Sequence, residues 1–120
     1  MSTVLVIDDV QTERLLFGEV VKQLGHIAEY AADGLTGFDR AKELKPSLIL
    51  LDVVMPGQDG FATCRKLKKD PETSKIPVVL ITSKIQDSDK FWGQKQGCDA
   101  YLTKPVDHKT LTETIKRYTV

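Results

Sequence analysis

The chain has 120 residues, and its 17 acidic and 17 basic side chains give a formal net charge of zero at pH 7. A balanced charge provides no overall field that would favour nucleic acid or a membrane surface as a partner. This length, with 41% hydrophobic residues, fits one globular domain spanning residues 1–120. No apolar run approaches the roughly 20 residues that cross a bilayer, and the first run lacks the basic flank and cleavage site of a signal peptide. We therefore expect a cytoplasmic protein whose two cysteines are free thiols packed as small apolar side chains.

Short apolar runs alternate with helix-like segments along the whole chain. Strand-like runs are predicted at residues 3–7, 27–30, 48–51, 78–81 and 100–103. Apolar residues at helical spacing predict helices over 11–24, 35–44, 61 to about 70, and 87–96, and a last helix marked by Leu111 and Ile115.

The residues that flank these segments indicate where each helix begins and ends. In the first helix, the apolar residues at helical spacing are Leu16, Phe17, Val20, Val21 and Leu24. Gly25 follows them as a C-cap glycine, and Pro46 stops the second helix. Asp33-Gly34 is expected to form a turn, and Asp107 to cap the last helix.

The alternation of strands and helices predicts an α/β fold with a parallel sheet covered on both faces. The chain is too short for a TIM barrel, so we expect an open, doubly wound, flavodoxin-like (βα)5 sheet with strand order 2-1-3-4-5. In that order strands 1 and 3 are neighbours at the switch point. Asp8 and Asp9, which follow the first strand, should therefore lie beside Asp52, which ends the third.

Polar side chains end four of the five apolar runs, at the edge where parallel sheets bind ligands. These side chains are Asp8, Asp9, Asp52, Thr82 and Lys104. Three carboxylates at close range repel one another without a cation, and Mg2+ prefers such oxygen ligands. We expect Asp9 and Asp52 to bind the ion directly and Asp8 to bind through water. The backbone carbonyl of Val54 is expected to complete the protein contribution.

The same inventory suits phosphoryl transfer. A carboxylate can accept a phosphoryl group as a nucleophile, and Asp52 is the best candidate because it stands alone at the end of the central strand. The Lys104 ammonium and the Thr82 hydroxyl would then bind phosphoryl oxygens. Taken singly, each residue has an ordinary explanation, such as a helix N-cap for Asp8-Asp9. Their joint occurrence at four strand ends favours the site.

Together these motifs resemble the receiver domain of two-component response regulators, over essentially the whole chain. The motifs are Asp8-Asp9, Asp52 with Met55-Pro56-Gly57 and Asp59-Gly60, Thr82-Ser83, and Lys104-Pro105. The resemblance implies that Asp52 is the phosphoacceptor, that Asp8 and Asp9 form the acidic Mg2+ pair, and that the other two groups bind phosphate. In that assignment Thr82 is the switch hydroxyl and Lys104 the phosphate-binding lysine.

The resemblance further implies a cis peptide bond before Pro105 and a switch role for Tyr101, which could otherwise be a half-buried strand tyrosine. Phosphorylation would draw Thr82 toward the phosphoryl group and let Tyr101 turn inward. The output face, built from the predicted helix 87–96, the fifth strand and the last helix, would then change shape. A histidine kinase, of the CheA type, would be the phosphodonor, and the protein would be no enzyme beyond self-catalysed phosphoryl transfer and dephosphorylation.

We expect a stand-alone CheY-type regulator, since the chain ends after the last helix, and we expect it to be a monomer. Its output would be binding of a downstream protein by the output face. Trp92 is a candidate anchor there, unless it packs on its own domain. The stretch 91–97 together with Lys104-Pro105-Val106 is similar to regulators of type IV pilus (twitching) and phototaxis systems.

Two positions bear on the lifetime of the phosphorylated form. Val54 lies two residues after Asp52, and Lys84 lies two after Thr82. Many receivers carry polar residues there that orient a hydrolytic water, which an apolar Val54 should not do. The sequence therefore predicts slow intrinsic dephosphorylation.

Other functions remain open at this point. A phosphatase of the haloacid dehalogenase type needs a second Asp where Val10 stands. A flavin carrier needs small hydroxyl and glycine residues after the first strand, and that loop is acidic. A docking module that is never phosphorylated, or a phosphate sink, would keep the same fold.

Overall fold

Five parallel strands form one sheet: β1 (Thr3–Ile7), β2 (Ile27–Ala31), β3 (Leu48–Asp52), β4 (Val78–Thr82) and β5 (Ala100–Thr103). Their order across the sheet is β2-β1-β3-β4-β5, which confirms the predicted topology. The structure is a computed structural model and describes residues 1–55, 57, 59–83 and 97–119. The register pairs Ile7 with Leu51 and Asp52 with Ile81. Asp8, Asp52 and Thr82 therefore lie at the same edge of the sheet.

Four helices lie within the described ranges: α1 (Gln11–Gln23), α2 (Gly34–Leu44), α3 (Gly60–Lys69) and α4 (His108–Tyr118). The helix predicted over 87–96 lies outside those ranges. Where the structure can be read, no helix has the length and apolar character needed to cross a membrane.

The sheet carries apolar side chains on both faces, as a parallel sheet between helices requires. Every residue of β3 and β4 is buried. Alternate residues of β1 enter two separate clusters: Leu5 and Ile7 pack with α2 and α3, whereas Val4 and Val6 pack with α1 and α4. The strands and their loops are thereby held between two apolar layers.

The helix predicted over 11–24 is α1, but Leu16 lies outside its buried face. Phe17, Val20 and Val21 are buried, but Leu16 is 61% exposed. At 3.6 residues per turn, each step rotates about 100°, which carries Leu16 off the face that holds Phe17. Gly25 does follow the helix, with a φ of +85° that suits glycine.

The prediction of a turn at Asp33-Gly34 was wrong. Gly34 is the first residue of α2, and Asp33 is its N-cap, accepting a hydrogen bond from the Thr36 N–H at 2.7 Å. An Asp that precedes a glycine suits both a turn and a cap, and the helix that follows decides between them. The predicted cap of the last helix is confirmed, because Asp107 accepts a bond from the Thr110 N–H at 2.7 Å.

One histidine joins the two ends of the described chain. His26, which precedes β2, accepts a hydrogen bond from the Ser2 N–H at its Nδ1 atom, at 3.1 Å. Its Nε2 atom lies 3.3 Å from the Thr119 hydroxyl, beyond the end of α4. These contacts lie at the amino ends of the strands, on the opposite side of the sheet from the polar edge.

Candidate functional site

A cleft of about 510 Å3 opens at the carboxyl ends of the strands. Its walls come from the loops after β1, β3, β4 and β5, which the doubly wound order brings to one edge. The lining residues are Asp9, Val10, Glu13, Asp52, Val54, Ser83, Lys104 and Pro105.

Three carboxylates converge in this cleft. One oxygen from each of Asp8, Asp9 and Asp52 lies within 4.8 Å of the others. Asp8 and Asp52 are buried, whereas Asp9 is exposed. Asp8 does not cap α1, because the N-cap is Val10 and no side chain caps it. Instead, the Asp8 carboxylate accepts a hydrogen bond from the Val10 N–H at 2.9 Å, so the turn after β1 holds Asp8 close to Asp9 and Asp52.

The electrostatics of the cluster favour a cation. Burial raises the pKa of Asp52 to about 6; Lys104 opposes this and the Asp8 charge adds to it. Burial likewise raises the pKa of Asp8, against a hydrogen bond from Val10 and the charge of Lys104. Ionised carboxylates are thus costly here. A hard divalent ion with oxygen ligands would relieve that cost, so the donor set fits Mg2+.

Lys104 lies in the middle of the acidic residues. Its Nζ atom is 3.0 Å from Asp8 Oδ2 and 3.5 Å from Asp52 Oδ1, and it donates a short hydrogen bond to Glu13. Burial alone would lower the pKa of Lys104, but the bonds to Glu13 and Asp8 together with the Asp52 charge raise it. The ammonium is therefore firmly charged and held beside Asp52.

Glu13 is the site residue that sequence reasoning missed. It lies in the first turn of α1, where an acidic residue is commonly explained by the helix dipole. The available signal was its spacing: Glu13 follows Asp9 by about one helical turn, which returns its side chain to the end of β1. Its partner lies 91 residues away, so no local pattern indicated the contact.

The residues predicted to bind phosphate or to act as the switch lie on, or directly after, strands β4 and β5. Thr82 is fully buried at the end of β4, and its backbone carbonyl accepts a hydrogen bond from the Lys104 N–H at 2.8 Å. The Lys104–Pro105 peptide bond is cis. Tyr101 on β5 is half-buried and packs against the cluster that contains Leu80.

Of Val54, Lys84 and Trp92, which were predicted to set the phosphoryl lifetime or to bind a partner, the structure describes only Val54. Val54 is 51% exposed and lines the cleft, and its backbone N–H hydrogen-bonds to the Asp52 carboxylate. Its carbonyl as a metal ligand stays a prediction. Lys84 and Trp92 lie outside the described residues.

Comparison with known proteins matches residues 4–116 to the response regulator receiver domain family. Protein PilH of Pseudomonas aeruginosa is 45% identical over 115 residues, which cover 96% of this chain and 95% of PilH. The structure of chemotaxis protein CheY4 of Vibrio cholerae superposes with a TM-score of 0.92 at 27% identity, covering 98% of both chains.

A more distant structure adds support for the fold. The receiver domain of sensor histidine kinase PA1611 from Pseudomonas aeruginosa has a TM-score of 0.89 at 21% identity, covering 98% of this chain and 96% of that one. That domain holds a magnesium ion coordinated in its active-site cleft.

Proposed function

This chain belongs to the family of response regulator receiver domains, and we propose that it is a signalling switch in which Asp52 accepts a phosphoryl group. The observation that carries this proposal is the position of Asp52. Its carboxylate lies at the end of the central strand, in an open cleft, beside two further carboxylates and the Lys104 ammonium. A nucleophile, a cation site and a phosphate-binding cation are thus close together.

The chemistry follows from these groups. With a pKa of about 6, the Asp52 carboxylate is mostly ionised at neutral pH. One of its oxygens attacks the phosphorus of a phosphohistidine on a histidine kinase, of the CheA type. The new O–P bond forms as the N–P bond breaks, and the electron pair goes to the imidazole, which takes a proton from water. No general base is needed, because positioning and charge neutralisation supply most of the rate.

The acidic residues have a separate role, which is to hold Mg2+. When bound, the ion supplies positive charge to the phosphoryl oxygens. Asp9 and Asp52 would hold it directly, Asp8 through water, and Val54 through its carbonyl oxygen. The magnesium ion coordinated in the active-site cleft of the PA1611 receiver domain supports the choice of metal.

The phosphorylated form differs in charge at one buried point, which is enough to bias a two-state element. Thr82 moves toward the phosphoryl group, and Tyr101 turns inward on the neighbouring strand β5. The output face changes shape and binds a downstream protein. Likeness to CheY4, a chemotaxis protein, and to PilH supports a role in motility or taxis signalling, in the cytoplasm.

Intact-protein mass spectrometry after incubation with Mg2+ and acetyl phosphate tests the proposal. The wild type should gain one phosphoryl group, and Asp52→Ala should gain none. Asp33→Asn is a matched control, since it removes an acidic charge at the N-cap of α2 and leaves the cleft intact. An adduct on Asp52→Ala, or none on folded wild type with either acetyl phosphate or a panel of phosphorylated kinases, would contradict the proposal.

A further inference from the structure

The Lys104 ammonium already contacts carboxylates before any phosphoryl group arrives. It donates hydrogen bonds to Asp8 and Glu13, and its Nζ atom lies 3.5 Å from Asp52 Oδ1. An ammonium has three N–H donors, so Asp8 and Glu13 already take two of them. A phosphoryl group on Asp52, which offers several oxygens, can draw fully on Lys104 only if one of those two hydrogen bonds opens.

The three carboxylates differ in how firmly they are held. The Asp8 and Asp52 side chains are 2% and 6% exposed, and each also receives a backbone N–H bond. The Glu13 side chain is 33% exposed and has one more rotatable bond. A carboxylate that is one-third exposed regains water when it leaves its partner, so its ion pair is worth little. Glu13 is therefore the contact that opens at the lowest cost.

We propose that Glu13 is a releasable counter-ion for Lys104, a positioning residue that holds the ammonium in the resting state and competes with the phosphoryl group for it. This role rests on the proposed function of Asp52. The aspartyl phosphate carries up to two negative charges where the Asp52 carboxylate carried one, and it offers three terminal acceptor oxygens. It therefore both outcompetes the single Glu13 carboxylate for Lys104 and repels it. Because displacing Glu13 from Lys104 costs free energy, the site binds a phosphoryl group less tightly than it would without Glu13.

Beryllofluoride, a phosphoryl mimic, measures this competition directly. Its dissociation constant in the presence of Mg2+ can be followed by fluorine NMR. Glu13→Gln should bind it roughly 1.5-fold to fivefold more tightly than the wild type, the range expected for losing one partly exposed charged competitor. Glu19→Gln is the matched control, because Glu19 is an exposed residue of the same helix and does not line the cleft. Its affinity should equal that of the wild type.

A background variant separates competition for Lys104 from a general loss of negative charge. With Lys104→Ala, the gain caused by Glu13→Gln should disappear. If Glu13→Gln strengthened binding equally in both backgrounds, the role through Lys104 would be wrong. Glu13→Ala serves as a second variant, since alanine favours the helix, and circular dichroism checks that each protein is folded.

The structure of the wild type bound to beryllofluoride gives an answer that does not depend on affinity. We expect Lys104 Nζ on the fluoride and the Glu13 carboxylate turned into water. A Glu13 that still bonds Lys104 in that complex would overturn the proposal, as would unchanged or weaker binding by Glu13→Gln. Failure of folded wild type to bind beryllofluoride or accept a phosphoryl group would instead count against the function of Asp52.

Discussion

Gly60, the first residue of α3, lies directly against the backbone of Asp52. A β-carbon at position 60 would come within 2.3 Å of the Asp52 carbonyl oxygen. Gly60 also donates its N–H to the carbonyl of Val53 at 2.8 Å. The helix therefore begins in contact with the strand end that carries the candidate phosphoacceptor, and only a glycine permits that approach.

Gly60→Ala should therefore lower both stability and the rate of phosphorylation. The added methyl group meets backbone and not a flexible side chain, so we expect a loss of about 1–3 kcal/mol in the free energy of unfolding, measured by urea denaturation. Gly25→Ala is the control, because no atom lies within 4 Å of its β-carbon position and its cost comes from the left-handed backbone alone. Gly25→Ala should leave the rate of phosphorylation by acetyl phosphate unchanged. Equal rates in the two variants would contradict the coupling.

Magnesium should stabilise the protein through Asp9. At a concentration tenfold above its dissociation constant, a ligand that binds only the folded state raises the free energy of unfolding by about 1.4 kcal/mol. For a domain of this size that raises the melting temperature by roughly 5 °C, which calorimetry can measure, and a chelator should reverse it. Asp9→Asn should lose most of the shift, whereas Asp33→Asn, outside the cleft, should keep it. A full shift in Asp9→Asn would show that the ion binds elsewhere.

The cap of α4 should make stability depend on pH in the acid range. Hydrogen bonds from the backbone and side chain of Thr110 hold the pKa of Asp107 below its ordinary value of 3.8. The folded protein therefore binds this proton less readily than the unfolded chain does. The contribution is present above the unfolded pKa and is lost as pH falls through the folded pKa.

Asp107→Asn tests that dependence, because asparagine caps a helix without titrating. The urea midpoint of the wild type relative to Asp107→Asn should fall as the pH is lowered from about 5 to about 2. A constant difference across that range would mean that the Asp107 charge contributes nothing to folding.

Val54→Asn should shorten the lifetime of the phosphorylated protein severalfold. Val54 is exposed in the cleft and offers no side-chain group to orient a water, whereas an amide at the same place would. The decay of the phosphoryl adduct after removal of acetyl phosphate measures the rate. Leu16→Asn places an amide at an exposed residue that does not line the cleft and should leave the decay unchanged. Decay of the wild type within seconds, or no faster decay in Val54→Asn, would contradict the prediction.

The sequence was sufficient for features that depend on local pattern and on chain order. The apolar runs at 3–7 and 100–103 are strands with the predicted bounds. Chain order then brought Asp8 and Asp52 to one edge, as the doubly wound topology requires. The Asp107 cap could be read from a single residue before an amphipathic helix.

What the sequence did not reveal depends on contacts between distant residues. Leu16 satisfies helical spacing, and only its rotation relative to the packed face shows that it points to solvent. Glu13 has an ordinary local explanation, and its bond to Lys104 forms only when β5 lies at the edge of the sheet. The close approach of Gly60 to the backbone of Asp52 cannot be predicted from composition or periodicity.

The contacts of His26 fix where any attached sequence begins. Ser2 and Thr119 both lie within hydrogen-bond distance of one imidazole ring, at the amino ends of the strands. A tag, reporter or surface linker joined at either end therefore starts from a single location on the side away from the cleft. A histidine kinase can approach Asp52 while the protein is immobilised through either terminus, and a short peptide could join the two ends into a circularly permuted reporter.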